Sequence, residues 1–378
     1  MDRHTLNQSV MYVPLNQTVL FDQASIDPEN EDDIFVYING LMGLAIILMN
    51  MVTLSLFKFK SSLLRTASNR LLMSLAVCDL CSGLVTSLHI IGRVVPAFKS
   101  ETCSMCMSYR ILVDIFTTFL TKAKVLHLVG IAIDRYICLY YALRYQKIVT
   151  TSKIRRYIVG IWLSAYLSAC IPILWLYRAM DGMTDVESIK LSKYDAWYSV
   201  WSLFQFMIFP TFLLGWIFSS VFLEIRRLLI TSPRHGRVQR NIIRQQRHAS
   251  NVLLLMYASF TVFTVPYFTI RLVVDSNAWR QQEKLVYVHP LVLEACYTMK
   301  VATSLTNPML YTIYNREFRI VLRQFIGCLK RRIVMLCFSA SSRDPAVVVC
   351  LTSMQSGQMI SSNGAATYHG SNNDIANL

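Results

Sequence analysis

Charge is scarce in this chain. Only 16% of its 378 residues are Asp, Glu, Lys or Arg, whereas 54% are hydrophobic, and the apolar residues fall in long blocks. That pattern excludes the scattered core of a soluble domain and points to an integral membrane protein. Acid is scarcer than base, 22 residues against 37. Anionic lipid and an acidic cytoplasmic partner are the natural complements of that excess, and no nucleic acid is needed to explain it. Catalytic and metal-binding constellations are missing too. His89 and His127 have no partners at ligand spacing, His127 reading as a packed helix residue, and Cys103 and Cys106, spaced Cys-x-x-Cys, have no further zinc ligands beside them. An enzyme, a metal site and a cofactor are not expected. Nor does the opening carry a cleavable signal pattern, so the first span is expected to take the preceding tail across the membrane.

Blocks long enough for ~30 Å of hydrocarbon occur at Ile34 to Phe57, Leu71 to Ile91, Ile111 to Ile133, Tyr157 to Tyr177, Trp197 to Leu223, Asn251 to Val274 and Leu291 to Tyr314, the second and seventh being interrupted by polar residues. Lys58, Lys60, Arg65 and Arg70 follow the first block; Arg144, Lys147, Lys153, Arg155 and Arg156 follow the third; neither connection has an acid. After the fifth come Arg226, Arg227, Arg234, Arg237, Arg240, Arg244 and Arg247 against Glu224. The positive-inside rule puts these on the cytoplasmic side. Residues 1–33 then lie outside, and they carry both of the chain's glycosylation triplets, at Asn7 and Asn16.

Seven spans with the amino terminus outside, Asp134-Arg135-Tyr136 closing the third and Asn307-Pro308-Met309-Leu310-Tyr311 closing the seventh resemble a rhodopsin-type (class A) G protein-coupled receptor. Asn50, Leu75-Ala76 with Asp79, Trp162, Pro210, and Phe260 with Pro266 match in the other spans, and Asn315 to Arg319 resembles the start of an amphipathic eighth helix. The resemblance covers roughly Ile34 to Cys328. It implies an all-α integral membrane fold: an extracellular glycosylated tail over 1–33, a seven-transmembrane helix bundle over 34–314, a short amphipathic eighth helix over 315–328 and a cytoplasmic tail over 329–378, largely disordered. It also implies an agonist outside and a heterotrimeric G protein inside, in a multi-pass protein of the plasma membrane. Asp134 would hold Arg135 at rest, and Pro210, Pro266 and Pro308 would bend their helices.

The departures from the family pattern are specific. Arg110 stands where a cysteine usually ends the third span outside, and Arg178 to Trp197 contains no cysteine, so the usual disulfide cannot form. Cys103 and Cys106 are expected free or locally bridged, with Cys296 a remote alternative. Thr264 replaces a tryptophan two residues before Pro266, Phe218 an active-state tyrosine, and Gln246 the acid that often locks the arginine.

At about 100° per residue, Thr117 shares a helix face with Arg135, some five turns outward. The resemblance makes that the ligand pocket, with His89, Asp114, Thr121, Tyr267, Arg271, Glu294, Tyr297 and Lys300 as further candidates. Mixed charges and aromatics favour a peptide or a small polar agonist. Lys122 and Lys124 sit in mid-span, where a lysine costs ~2.5–3.5 kcal/mol. Lys124 faces the bundle interior, where the family binds sodium through the residue equivalent to Asp79. It is expected to pair with Asp79, bond Asn307, and stand near Asn50, Thr303 and Ser304. Lys122 has no evident partner.

Two other readings stay open. Lys300 invites an opsin-type photoreceptor, although the retinal-bearing position aligns with Val301, about 100° around the helix. Asp79, Lys124 and Lys300 invite a cation or proton transporter, although no inverted repeat is seen. In the tail, Cys328 beside Lys330, Arg331 and Arg332 suits S-acylation at membrane lipid. Beyond Ser339, exposed serines and threonines offer sites for receptor kinases and arrestin, and Ala376-Asn377-Leu378 is a weak PDZ-type ending.

Overall fold

The computed structural model describes residues 29–95, 98, 104–175, 185–231, 237–280, 288–314 and 316–341. Among these residues every regular element is helical: α1 Glu29–Phe59, α2 Ala67–Val94, α3 Ser104–Tyr140, α4 Tyr145–Ile148, α5 Thr151–Cys170, α6 Asp185–Leu203, α7 Phe209–Thr231, α8 Arg237–Arg280, α9 Pro290–Tyr314 and α10 Arg316–Ser341. A π-helical stretch, Phe204–Ile208, joins α6 to α7 and makes them one span. Its location has a local cause. A proline clashes with the carbonyl four residues back, and Phe206, four before Pro210, lies inside the widened turn, where the clash is relieved.

Among the described residues, six helical segments are long and apolar enough to cross a membrane: Ile34–Phe59, Ala67–Val94, Ser108–Tyr140, Thr151–Trp175, Lys193–Ile230 and Ile243–Asn277. The seventh, α9, has 25 residues, ample for the crossing. It falls short in hydropathy because it carries Glu294, Lys300, Thr303, Ser304, Thr306 and Asn307. Packing explains how it tolerates them: α9 contacts α1, α2 and α8, and Lys300, Thr303, Ser304 and Asn307 are buried.

The remaining contacts close the bundle, with α3 touching α2, α5, α7 and α8, and α6 against α8. Large apolar side chains such as Leu41, Leu163, Phe212 and Trp216 point outward, whereas Asn50, Asp79, Lys122, Lys124, His127 and Thr264 are buried. Hydrocarbon is the solvent, so the polar groups turn to the interior of the bundle. The α1–α2 approach is close at Gly83, where a Cβ would lie 3.0 Å from the Gly43 carbonyl oxygen. Thr66 and Thr150 cap α2 and α5, each side chain accepting from the backbone N–H three residues on.

The last helix differs from expectation: α10 runs to Ser341 instead of stopping at Cys328. Alternating basic and apolar residues keep an amphipathic pattern through Arg331, Arg332, Ile333 and Val334, so nothing local ends it sooner. Asn7, Asn16 and Cys103 lie outside the described residues, as do the side chain of Tyr311 and the tail beyond Ser341.

Candidate functional site

Two cavities and a cluster at the Tyr140 end of α3 contain most of the residues singled out above. The outer cavity lies between α3, α6 and α8. Three carboxylates, Asp114, Asp195 and Asp275, line it with one guanidinium, Arg271. Arg271 Nε donates to Asp275 at 3.2 and 3.4 Å, and its Nη1 stands 3.8 Å from Asp114 Oδ1. Ser199 donates to Asp275, and Trp175 Nε1 donates to Asp195 at 2.7 Å. Among the described residues no cation is within ion-pair distance of Asp195. The Arg271–Asp275 pair has the i,i+4 spacing visible in sequence. Asp195 and Ser199 reach the cavity, and Trp175 reaches Asp195, only through tertiary packing, which gives no local signal.

Lys122, whose partner the sequence does not reveal, is completely buried and reaches Tyr198, one of the residues lining that cavity. Its three N–H bonds have three oxygen acceptors: the Ser168 carbonyl at 3.2 Å, Ser168 Oγ at 3.0 Å and Tyr198 OH at 2.7 Å. The rings of Tyr198 and Phe206 lie 4.5 and 4.9 Å from Nζ and add cation–π attraction. The donors of this ammonium are all used, without a carboxylate.

The inner cavity is lined by Thr86, Thr117, Thr121, Lys124, Tyr297, Lys300 and Ser304, among others. Lys124 Nζ lies 3.3 Å from Asp79 Oδ1 and donates to Ser304 Oγ. Oδ1 accepts no well-directed hydrogen bond, so its attraction to the ammonium is mainly coulombic. One expectation is corrected here. Asn307 Nδ2 donates to Asp79 Oδ2 at 2.9 Å, while the Lys124 ammonium donates to Ser304 Oγ and faces Asp79 Oδ1, so the carboxylate and not Lys124 is the partner of Asn307. Asn50 Nδ2 bridges to the Ser304 carbonyl at 3.3 Å. This donor set does not suit a sodium ion: an ammonium already faces the carboxylate, and a second cation would meet it at close range.

Of the other pocket candidates, Tyr267 lines the outer cavity beside Asp114 and Arg271. Glu294 pairs with Arg93 at 2.6 Å, and His89 stacks on Tyr297 with ring centroids 4.7 Å apart. Thr117 and Thr121 each donate to the carbonyl four residues back, both at 2.8 Å. His127 is knit into the core: Nδ1 contacts the Ala123 carbonyl at 2.7 Å and Nε2 contacts Ser74 Oγ at 2.8 Å. A carbonyl only accepts, so the assigned tautomer carries its proton on Nδ1. Trp162 Nε1 donates to the same Ser74 hydroxyl at 3.0 Å. Cys296 is a free thiol, hence not bridged to Cys103 or Cys106.

At the Tyr140 end of α3, Asp134 accepts from Ser68 and, at 2.7 Å, from Tyr145 OH. Arg135 Nη2 is 3.9 Å from Asp134, and Nη1 donates to Gln246 Oε1 at 3.3 Å. Burial, with the Asp134 carboxylate beside it, pushes the Tyr145 phenol up. Tyr136 stacks on Tyr140 with centroids 4.5 Å apart. The arginine is held by one neutral amide and a long ion pair.

An arginine latch at the inner end of α3, a polar core on α2 and α9, and a cavity open to the outer end make one arrangement. Residues 49–311 match the family described as "7 transmembrane receptor (rhodopsin family)". The chain belongs to that family. Relatives include the adenosine receptor A2b of Bos taurus, 24% identical with 71% of this chain and 82% of that protein covered. The adenosine receptor A2a of Canis lupus familiaris is 24% identical over 77% of this chain and 72% of its own length. The 5-hydroxytryptamine receptor 1D of the same species is 22% identical over 69% and 80%. Receptors of this kind are not enzymes; they are multi-pass membrane proteins that take an agonist and couple to a G protein. Membership sets aside the transporter reading.

Proposed function

We propose that this G protein-coupled receptor answers an extracellular agonist, a small polar molecule or a peptide, that presents a cationic group to the outer cavity. The observation that supports this is the three-to-one count of carboxylates, Asp114, Asp195 and Asp275, over Arg271. An ammonium or guanidinium entering there would gain charge-assisted hydrogen bonds, whereas an anion would meet carboxylates. The relatives are named for two different small molecules, so the likeness alone does not select the ligand.

Agonist binding at α3, α6 and α8 would be transmitted by movement of α8 about Pro266, parting Gln246 from Arg135 and freeing the guanidinium to meet the G protein. In this reading Asn307, Pro308 and Tyr311 form the inner hinge of α9. The amino-terminal tail faces outward with glycans on Asn7 and Asn16, Cys328 is S-acylated at the inner leaflet of the plasma membrane, and receptor kinases and arrestin act on the tail. Positive charge on the connections between spans supports this orientation.

The test is a panel of amines, basic peptides, neutral nucleosides and carboxylates applied to cells carrying the receptor and a promiscuous G protein. Cationic compounds should be the agonists, their potency falling at least ~10-fold in Asp114→Asn or Asp195→Asn, equivalent to about 1.4 kcal/mol. Arg135→Ala should abolish the response at normal surface expression. A panel in which only neutral or anionic compounds activate would overturn the cationic assignment.

A further inference from the structure

The inner cavity contains more hydrogen-bond donors than acceptors for them. Lys300 is 5% exposed. Among the described residues its ammonium has neither a carboxylate at ion-pair distance nor an oxygen acceptor; it lies over the rings of Tyr267 and Tyr297, 3.6 and 4.6 Å from their centroids. Lys122, by contrast, uses all three donors. Lys124 uses one donor on Ser304 and turns toward Asp79, leaving a third. An ammonium offers three donors and no acceptor, so the two lysines lining this cavity bring about four N–H bonds without a protein acceptor. The cavity holds two cationic side chains and no carboxylate, since Asp79 stands behind Lys124. A buried charge with unmet donors is costly, and the aromatic faces offset only part of that.

We propose that the cavity between Lys300 and Lys124 binds a small monovalent inorganic anion of halide size, chloride being the abundant one. The anion accepts from both ammonium groups. Thr86, Thr117 and Thr121 form the wall but donate to their own helices, so the lysines are the anchors. Size favours an inorganic ion over a ligand carboxylate: the cavity has room for a sphere or two of water size. The anion would hold α9 to α3 across the bundle, as a structural ion located between the agonist cavity and the cytoplasmic latch.

The unmodified receptor, purified in detergent, decides first. Chloride-35 NMR should show saturable line broadening that bromide displaces. Thermal unfolding should rise by about 2–4 °C when chloride replaces gluconate at constant sodium and ionic strength. Both effects should vanish in Lys300→Met, which keeps side-chain length without charge, and persist in Lys122→Met. Absence of saturable broadening in the unmodified receptor overturns the proposal even if no variant folds, as does undiminished broadening in Lys300→Met. Protection by formate and not by chloride would assign the donors to the carboxylate of a larger ligand and overturn it equally.

Discussion

The two cavities carry opposite charge, and they meet the cost of burying it differently. In the outer one, carboxylates outnumber the guanidinium, and the groups lie beside open space where a ligand can supply what is missing. In the inner one, two lysines line the space; the chain supplies Asp79 and Ser304 to Lys124 but only the rings of Tyr267 and Tyr297 to Lys300, whereas Lys122, outside both linings, is fully served by Ser168 and Tyr198. The difference separates charge kept for recognition from charge that holds helices together. A mid-membrane lysine is tolerable when other helices furnish acceptors, and Lys122 and Lys124 are each served by helices other than their own.

Breaking the inner pair should have the largest effect. Asp79→Asn or Lys124→Ser alone leaves an unpaired buried group and should cost about 3–5 kcal/mol, whereas the double change should recover much of it. Thermal unfolding of the three purified variants completes the cycle; strictly additive losses would show that no pair exists. In the outer cavity, Arg271→Gln leaves Asp114 and Asp275 facing each other and should cost about 2 kcal/mol or more. Asp275→Asn in the same chain should restore part of the stability, as the midpoint of unfolding would report.

Smaller effects probe the cytoplasmic latch and the lysine without an acid. Gln246→Glu gives Arg135 a full ion pair at a partly exposed site, worth about 0.2–1 kcal/mol. Ligand-independent signalling should fall by up to about five-fold, measured as basal second-messenger level at matched surface expression. Lys122→Met removes a desolvated charge and leaves Ser168 and Tyr198 able to bond each other, as Tyr198 OH already does to the Ser168 carbonyl at 3.0 Å. Its melting temperature should stay within about 3 °C of the parent. A collapse on that change would show the ammonium to be an organising centre.

Much of this was legible in the sequence because helix periodicity and charge act along the chain. Seven spans follow from apolar blocks, and placing Lys124 opposite Asp79 requires only the 3.6-residue repeat and the family pattern. Partners contributed by packing were not legible. Lys122 meets Ser168 on α5 and Tyr198 on α6, 46 and 76 residues away. Asp195 enters the outer cavity from just ahead of the fifth apolar block, in the connection where the sequence shows no site. The helical tail to Ser341 escaped because its basic residues suggested a lipid surface and not continued helix. The bond from Asn307 went to the carboxylate for a reason that local chemistry does contain: of the two groups nearby, only Asp79 can accept.

The central claim is that Lys124 supplies, from within the chain, the cation that Asp79 would otherwise take from solution. Thermal unfolding of the purified receptor in sodium chloride and in choline chloride, at equal ionic strength and equal chloride, tests it without any agonist. The two curves should coincide for the unmodified receptor, and Lys124→Ser should become more stable in sodium than in choline. A sodium-specific rise in the unmodified receptor would contradict the account.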